Sequence, residues 1–467
     1  MYKKFKLRLS GRQHAALSNH LFPGDNKEAV ALALCGVGKY QDMLVACVHK
    51  IIEIPYDQCS VRTEDQLTWS TELLPGLLKD SGQGRMILKI HSHPTGYPDF
   101  SEYDNHSDKD LFKGIAGWLD TDYPGMSAIM LPDGKMIARI VKSDSTFSEV
   151  RSIIVAGPDI LYWNNEQDRE LDESLYSKRT MQTFGSGTTR TLSSLSIGVV
   201  GVSGTGSPVT DMLARLGVGE LVLVDGDVVE EVNVGRIYNS GMSDVREQKK
   251  KVQVIGDAIS RYELPVNVVE MPMDLFNPEV IQRLAQCDVI FGCMDSYDGR
   301  NALNKLCVYY SIPYFDLGVF LDADGKGSVS QVCGTVHYMQ PDGSSLFSRK
   351  VYTGEQLRAA DMRRSNPKEY ENQIREKYIR GIQEERPAVI SVNTLIASLA
   401  VNEFLARIHQ FRDDPNDEIS TIRLSLTQNR FITEPEGDPC GVLAKKVGLG
   451  DVRPLLDMPI LSIGGSD

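Results

Sequence analysis

Apolar residues fall into two textures along the chain. Over residues 1–150 they gather into short runs, VALALCGV (30–37), DMLVACVHKIIEI (42–54), RMILKIHSH (85–93) and MSAIMLP (126–132), each bounded by polar or turn-forming residues. Such runs predict buried strands, whereas the stretches around 11–21 and 104–120 predict helices. Strands and helices do not alternate strictly, which predicts an α+β domain over 1–155. The segment PDILYWNNEQDRELDESLYSKR is polar and acidic without a strand pattern, and 156–174 reads as a linker.

From about residue 193 the order becomes strand, glycine turn, helix, strand: LSIGVVGV, SGTGSPVTDMLARLGVG, ELVLVDGD, and later DVIFGCMDS, GRNALNKLCVYYS and PYFDLGV. Repeated βαβ units predict a mostly parallel, Rossmann-like sheet over 175–435, so the chain as a whole reads as α/β. Residues 350–386 are charged and helical in composition, an apolar helix follows from 388, and 436–467 reads as a tail of short elements rich in Gly and Pro.

Composition narrows the partners. The 467 residues carry a net charge of −13, with 41% hydrophobic and 24% charged positions. Neither a nucleic acid nor an anionic membrane is expected, since both demand clustered positive charge. The basic start MYKKFKLRLSGRQHAAL lacks the apolar core of a signal peptide. The run VISVNTLIASLAVNEFLARI is interrupted by Asn393, Asn402 and Glu403 and reads as a buried helix. A cytoplasmic protein is the expectation. The eight cysteines include no CxxC pair, which argues against a disulfide scaffold or zinc ribbon and predicts mostly buried thiols.

The first chemical constellation is HSHPTGYPDFSEYD. His91 and His93 stand at i and i+2, so at an extended strand end both rings face one side. Asp104 as a third ligand gives a His2Asp set with a position left open, the pattern of catalytic zinc. The full string, H-x-H-P, six residues, then S-x-x-D, resembles the JAMM motif of the JAB/MPN metalloprotease family. That resemblance implies a Zn²⁺ hydrolase with a glutamate base, for which Glu28 in DNKEAVALALCG stands and Glu53 and Glu64 are weaker substitutes. It also implies that Ser101 stabilises an oxyanion. His106 and Asp108 read as solvated helix residues.

The second constellation is VVGVSGTGSPV. Gly201, Gly204 and Gly206 follow an apolar strand and precede a helix, where backbone amides and a helix N-terminus can receive phosphate. Ser203 breaks the dinucleotide fingerprint, which disfavours an NAD oxidoreductase. The segments DGDVVEEVNVGR and CMDSYDGRNALNKLC, with LYSKRTMQTFG upstream, resemble the ubiquitin-activating superfamily, particularly its ThiF/MoeB/HesA-like members, over about 175–410. The resemblance implies that Asp225 holds a ribose, that Asn233, Arg236 and Lys251 (Lys249 being its rival) contact the ATP triphosphate, that Asp295 organises Mg²⁺ and that Arg179 is the lead-in arginine, often acting across a homodimer. Ser296 stands where asparagine is usual. Ser345 and Ser348 stand where many relatives carry a zinc-binding Cys pair, so a structural zinc is not expected. Residues 350–386 contain no cysteine to carry a thioester, leaving Cys333 and Cys440.

Together these resemblances imply a fusion of bacterial type. A zinc peptidase or isopeptidase would trim a ubiquitin-like protein to its C-terminal glycine or cleave its conjugates, and an adenylyltransferase would activate the exposed carboxylate, with a conjugating enzyme as a further partner. Some such systems are associated with antiphage defence. The alternatives are activation of a sulfur carrier with precursor trimming, and a binding scaffold without activity.

Overall fold

A computed structural model describes residues 2–81, 85–118, 123–165, 176–375 and 388–462. The chain forms two compact units. The first comprises Met1–Glu170 with two short later pieces, Val308–Ser311 and Lys445–Arg453, and the second comprises the remainder.

The first unit contains, in order, β1 (Lys4–Ser10), α1 (Gly11–Leu21), β2 (Val30–Tyr40), β3 (Met43–Glu53), β4 (Cys59–Arg62), β5 (Leu67–Trp69), α2 (Leu74–Ser81), β6 (Met86–Ser92), α3 (Glu102–Trp118), β7 (Gly125–Met130), β8 (Met136–Val141), β9 (Phe147–Glu149), β10 (Ser152–Ala156) and β11 (Ile160–Asn164). Nine strands make one mixed sheet in the order β11-β10-β1-β3-β2-β6-β7-β8-β9, and β4 pairs with β5 separately. β2 shows why its sequence is apolar throughout. Ala31, Ala33 and Cys35 join the core that includes Leu17 and Leu21 of α1, while Val30, Leu32 and Leu34 join Phe112 and Ile115 of α3 on the opposite face. A strand covered on both faces has no polar side to show. Helix α1 begins at a capping box in which Ser10 and Gln13 bond each other's backbone N–H.

Two expectations change here. Ile160–Asn164, read as part of a polar linker, pairs antiparallel with β10 as the edge strand of the sheet. The strand is only the five residues ILYWN at the head of an otherwise polar and acidic segment, whose composition hides it. Four of the eight cysteines, Cys35, Cys47, Cys287 and Cys307, are buried and the other four are half-buried, fewer in the core than composition suggested. Residues 166–174 of the expected linker lie outside the described residues.

The second unit contains α4 (Lys178–Ser194), β12 (Ser196–Val200), α5 (Gly206–Arg215), β13 (Glu220–Val224), α6 (Glu231–Val234), α7 (Met242–Arg246), α8 (Lys251–Ser260), β14 (Asn267–Met271), α9 (Pro278–Leu284), β15 (Val289–Gly292), α10 (Tyr297–Tyr310, its last residues counted with the first unit), β16 (Tyr314–Ala323), β17 (Val329–Met339), α11 (Gly354–Ser365), α12 (Pro367–Arg375), α13 (Ile390–Ile408), β18 (Thr421–Ser425) and β19 (Arg430–Glu434). The sheet order is β14-β13-β12-β15-β16-β17-β18-β19. The first five strands are parallel, and β17 to β19 extend the sheet antiparallel. The order reverses between β12 and β15, the switch point at which a parallel α/β sheet leaves a crevice beyond its strand ends. Of the charged region 350–386, residues up to 375 form α11 and α12, and 376–387 lie outside the described residues. Among the described residues no helix is long and apolar enough to cross a membrane.

Candidate functional site

Strand β6 and helix α3 build the first site as a ladder. The strand's alternate residues Ile87, Lys89 and His91 face the helix, whose own facing residues recur every fourth position. His91 Nε2 lies 2.9 Å from Asp104 Oδ1, and Lys89 Nζ lies 2.7 Å from Asp108 Oδ1. Ile87 joins Phe112 and Ile115 in one apolar cluster. Two strand residues advance ~6.6 Å and four helix residues ~6 Å, so the rungs stay in step.

Asp104 is placed by the S-x-x-D spacing itself. Its backbone N–H donates to Ser101 Oγ at 3.1 Å, and its carboxylate accepts the Ser101 N–H at 2.8 Å and the Ser101 hydroxyl at 2.7 Å. This is a capping box at the start of α3. The serine hydroxyl is therefore engaged with Asp104. His93 Nε2 lies 3.1 Å from His91 Nε2 and 3.6 Å from Asp104 Oδ2. His93 Nδ1–H donates to the Tyr97 carbonyl at 2.9 Å, which leaves the Nε2 lone pair of the neutral ring facing the cluster. Glu28, just ahead of β2, completes the group: one ligand atom each from Glu28, His91 and His93 lie within 4.8 Å of one another. Arg62 holds the Glu28 loop, its Nε donating to the Glu28 carbonyl at 2.8 Å and its Nη1 pairing with Asp25 at 2.5 Å.

All four side chains are buried, and their protonation reflects it. Burial pushes the Glu28 carboxyl up to about 7, with His93 drawing it down and Asp104 adding to the rise. Burial and the Lys89 cation lower His91. Burial opposes a charged His93, but Asp104 and the Tyr97 carbonyl outweigh it and raise that ring. Burial works upward on Asp104, yet its bonds to both histidines and Ser101 hold it well below the usual carboxylate range.

The donor set suits zinc. Four tetrahedral ligands at ~2.0–2.2 Å stand ~3.3–3.5 Å from one another, and the His91, His93 and Asp104 donor pairs measured above span 2.9 to 3.6 Å. The ring nitrogens facing this centre are Nε2 in both histidines, while His91 Nδ1 is buried without a hydrogen-bond partner. A second layer was not visible in the sequence. Asp108, read as solvated, is fully buried and paired with both Lys89 and Arg139 at 2.7 Å. The Arg139 guanidinium also lies 3.8 Å over the rings of Phe100 and Phe147 and donates to Asn105 at 2.5 Å. Only the strand to helix register reveals that Asp108 turns inward, one helical turn after Asp104. His106, by contrast, is exposed.

The second site lies at the switch point of the parallel sheet. Gly201 follows β12 with φ of 83°, a conformation that suits glycine. At Gly206 an added Cβ would sit 1.8 Å from the Gly201 carbonyl oxygen, so no side chain fits. Helix α5 starts with no side-chain cap at Thr205, but the Ser207 N–H donates to the Ser203 carbonyl at 2.9 Å and Pro208 carries none, so in its first turn Gly206 is left to offer an N–H to an anion. The Asp225 carboxylate, at the end of β13, accepts the Val202 and Asp227 N–H groups, each at 3.0 Å. Burial raises its pKa while Lys251 draws it down. Lys251, buried at the start of α8, pairs with Asp227 at 2.8 Å and approaches Asp225 at 4.0 Å. Its rival Lys249 turns outward to Asp257.

Other predicted residues are less engaged. Asn233 is buried, and its Oδ1 accepts the Glu230 N–H at 3.1 Å. Arg236 is half-buried with its Cδ 3.2 Å from where a Gly204 Cβ would stand. Asp295 is exposed on the loop after β15. Arg179 is exposed on α4, with Nη1 3.4 Å from Gln182 Oε1. Asn393 on α13 approaches Gly204 so closely that a Cβ there would lie 2.3 Å from its Nδ2, a contact the sequence did not indicate. Ser345 and Ser348 bond each other, with the Ser345 N–H 2.8 Å from Ser348 Oγ. Burial raises the nearby Cys440 thiol, but bonds from Ser345 and the Leu443 and Val442 N–H groups outweigh it and lower it. Cys333 is half-buried on β17.

A parallel sheet with a glycine loop at its switch point defines a doubly wound α/β unit. The sequence profile of the ThiF family matches residues 176–439, more than half of the chain, and the chain belongs to that family. It is 30% identical over 162 residues to ubiquitin-like modifier-activating enzyme 5 of Culex quinquefasciatus, covering 33% of this chain and 39% of that protein, and 29% identical over the same length to the Aedes aegypti enzyme. The match thus spans about two fifths of the length of these curated relatives. Among solved structures, the microcin C7 biosynthetic enzyme MccB in complex with N-formylated MccA is 18% identical with a TM-score of 0.46, covering 59% of this chain and 75% of that one.

Proposed function

We propose that the second unit adenylates the C-terminal carboxylate of a ubiquitin-like protein with Mg-ATP. The observation that carries this reading is the switch-point crevice of a ThiF-family chain, in which Asp225 accepts the Val202 N–H of the glycine loop at 3.0 Å and Lys251 stands 4.0 Å from Asp225. In the reaction a carboxylate oxygen attacks the α-phosphorus, the bond to the bridging oxygen breaks, and pyrophosphate leaves with the electron pair. Lys251 and Arg236 neutralise the triphosphate, the Gly206 amide receives a phosphate oxygen, Asp225 takes the ribose hydroxyls, and Asp295 would hold the magnesium ion. The curated relatives are named for activating a ubiquitin-like modifier, which supports that substrate class. ATP:pyrophosphate exchange that depends on such a protein tests the reading, and exchange unaffected by Asp295→Ala would argue against the assigned site.

We further propose that the first unit is a zinc peptidase or isopeptidase acting on the same kind of C-terminal tail. The convergence of His91, His93 and Asp104 donors beside Glu28 supports it. When bound, zinc would supply Lewis acidity to water and to the scissile carbonyl. Glu28 would take the proton on its carboxylate oxygen and return it to the leaving amine. Purified protein is expected to hold about one zinc per chain; an undiminished content in His91→Ala would overturn the assignment.

A further inference from the structure

A cavity of about 510 Å³ opens in the first unit at the far end of the β6–α3 ladder from His91. Its volume lies within the about 300–1,000 Å³ of small-molecule sites. The ladder explains its position. Beyond Ile87, the next residue on that face is Arg85, while the helix offers the small Ala116; Met86 reaches the cavity from the other face of the sheet. The inner wall is apolar: Phe5, Met86, Ile87, Phe112 and Val141 line it and all are buried. The Phe112 ring packs against Gly125, where an added Cβ would lie 2.1 Å from it.

The rim is of opposite character. Arg85, Lys109, Lys113 and Lys142 line it, Ser143 and Ser145 add hydroxyls, and no carboxylate is among the described residues that line it. This is notable in a chain of net charge −13. Lys109 and Lys113 are one helical turn apart on α3 and both are exposed, so their ammonium groups can meet an anion without full desolvation. None of these residues belongs to the metal cluster or the nucleotide crevice.

We propose that this cavity is a binding site for a small amphipathic anion, a compact apolar body carrying one carboxylate or phosphate group. The body lies against Phe112, Ile87 and Val141, and the head meets the lysines at the rim. The proposal is independent of either catalytic reading.

Titration calorimetry on the full chain tests it with four probes sharing one alkyl tail: decanoate, decyl phosphate, decan-1-ol and decyltrimethylammonium. Saturable binding of at least one anion, with the alcohol and the cation weaker by about 10-fold or more, is the expected result. A preference for either anionic head supports the site and identifies the head. Lys109→Glu with Lys113→Glu, both exposed positions, is expected to weaken the bound anion by about 10-fold or more, and Lys142→Glu provides a second variant on another element. Equal binding of decan-1-ol or the cation, absence of saturable anion binding, or unchanged affinity in well-folded charge-reversed variants would overturn the proposal.

Discussion

The metal cluster and the nucleotide crevice are assembled by opposite means. In the first, side chains do the work: Glu28, His91, His93 and Asp104 are all buried, Glu28 within 4.8 Å of both histidines, and the group is braced from behind by Lys89, Asp108 and Arg139. In the second, the backbone does most of it, through a glycine loop in which no side chain fits at Gly206, while Asp295 and Arg179 are exposed and Arg236 half-buried. The difference follows from what each would hold. A small ion requires donors fixed at short distances, so the protein builds the cage in advance. A nucleotide brings its own shape and charge, so the protein provides a surface on which charged side chains can gather.

The comparison can be tested, beginning with the brace. Asp108→Ala leaves two buried cations without their carboxylate and should destabilise the first unit by about 3–5 kcal/mol, read by chemical denaturation; a loss below about 1 kcal/mol would mean that the brace is dispensable. Next comes Glu28→Gln. Because the folded state holds the Glu28 proton up to about 7 while the unfolded carboxyl releases it near its ordinary value of 4.5, the folded state binds more protons between these values and stability falls as pH rises through that window. In metal-free protein the glutamine variant should therefore be more stable by about 3 kcal/mol above pH 7, and equal to the parent below about pH 4.5. An equal gain at both pH values would mean that packing, not charge, is responsible.

Smaller effects probe the division between side chain and backbone. Lys251→Ala should lower ATP:pyrophosphate exchange about 100-fold and leave zinc content unchanged; a loss of zinc in that variant would contradict the separation of the two chemistries. Ser101→Ala should weaken zinc about 10-fold, since the serine orients Asp104, as followed by competition with a chelator. Unchanged zinc affinity with slower peptide cleavage would return Ser101 to the oxyanion role that the JAB/MPN resemblance implies.

What the sequence determined by itself was local. The continuous apolar run of β2, the His91 and His93 spacing at the end of β6, the S-x-x-D spacing that caps α3, and the glycine spacing after β12 are each written within a few residues, because strand and helix periods fix which side chains share a face. The order of βα units likewise implied the parallel sheet. Tertiary structure decided everything that depends on two distant elements meeting: that Glu28 comes to His91 and His93, that Lys251 rather than Lys249 turns to Asp225, and that Asn393 closes on Gly204. It also decided that Asp108 is buried, that residues 160–164 close an edge of the sheet, and that a cationic cavity opens beyond the ladder. Local spacing fixes the direction of a side chain; what stands opposite it depends on the register between elements that the sequence writes far apart.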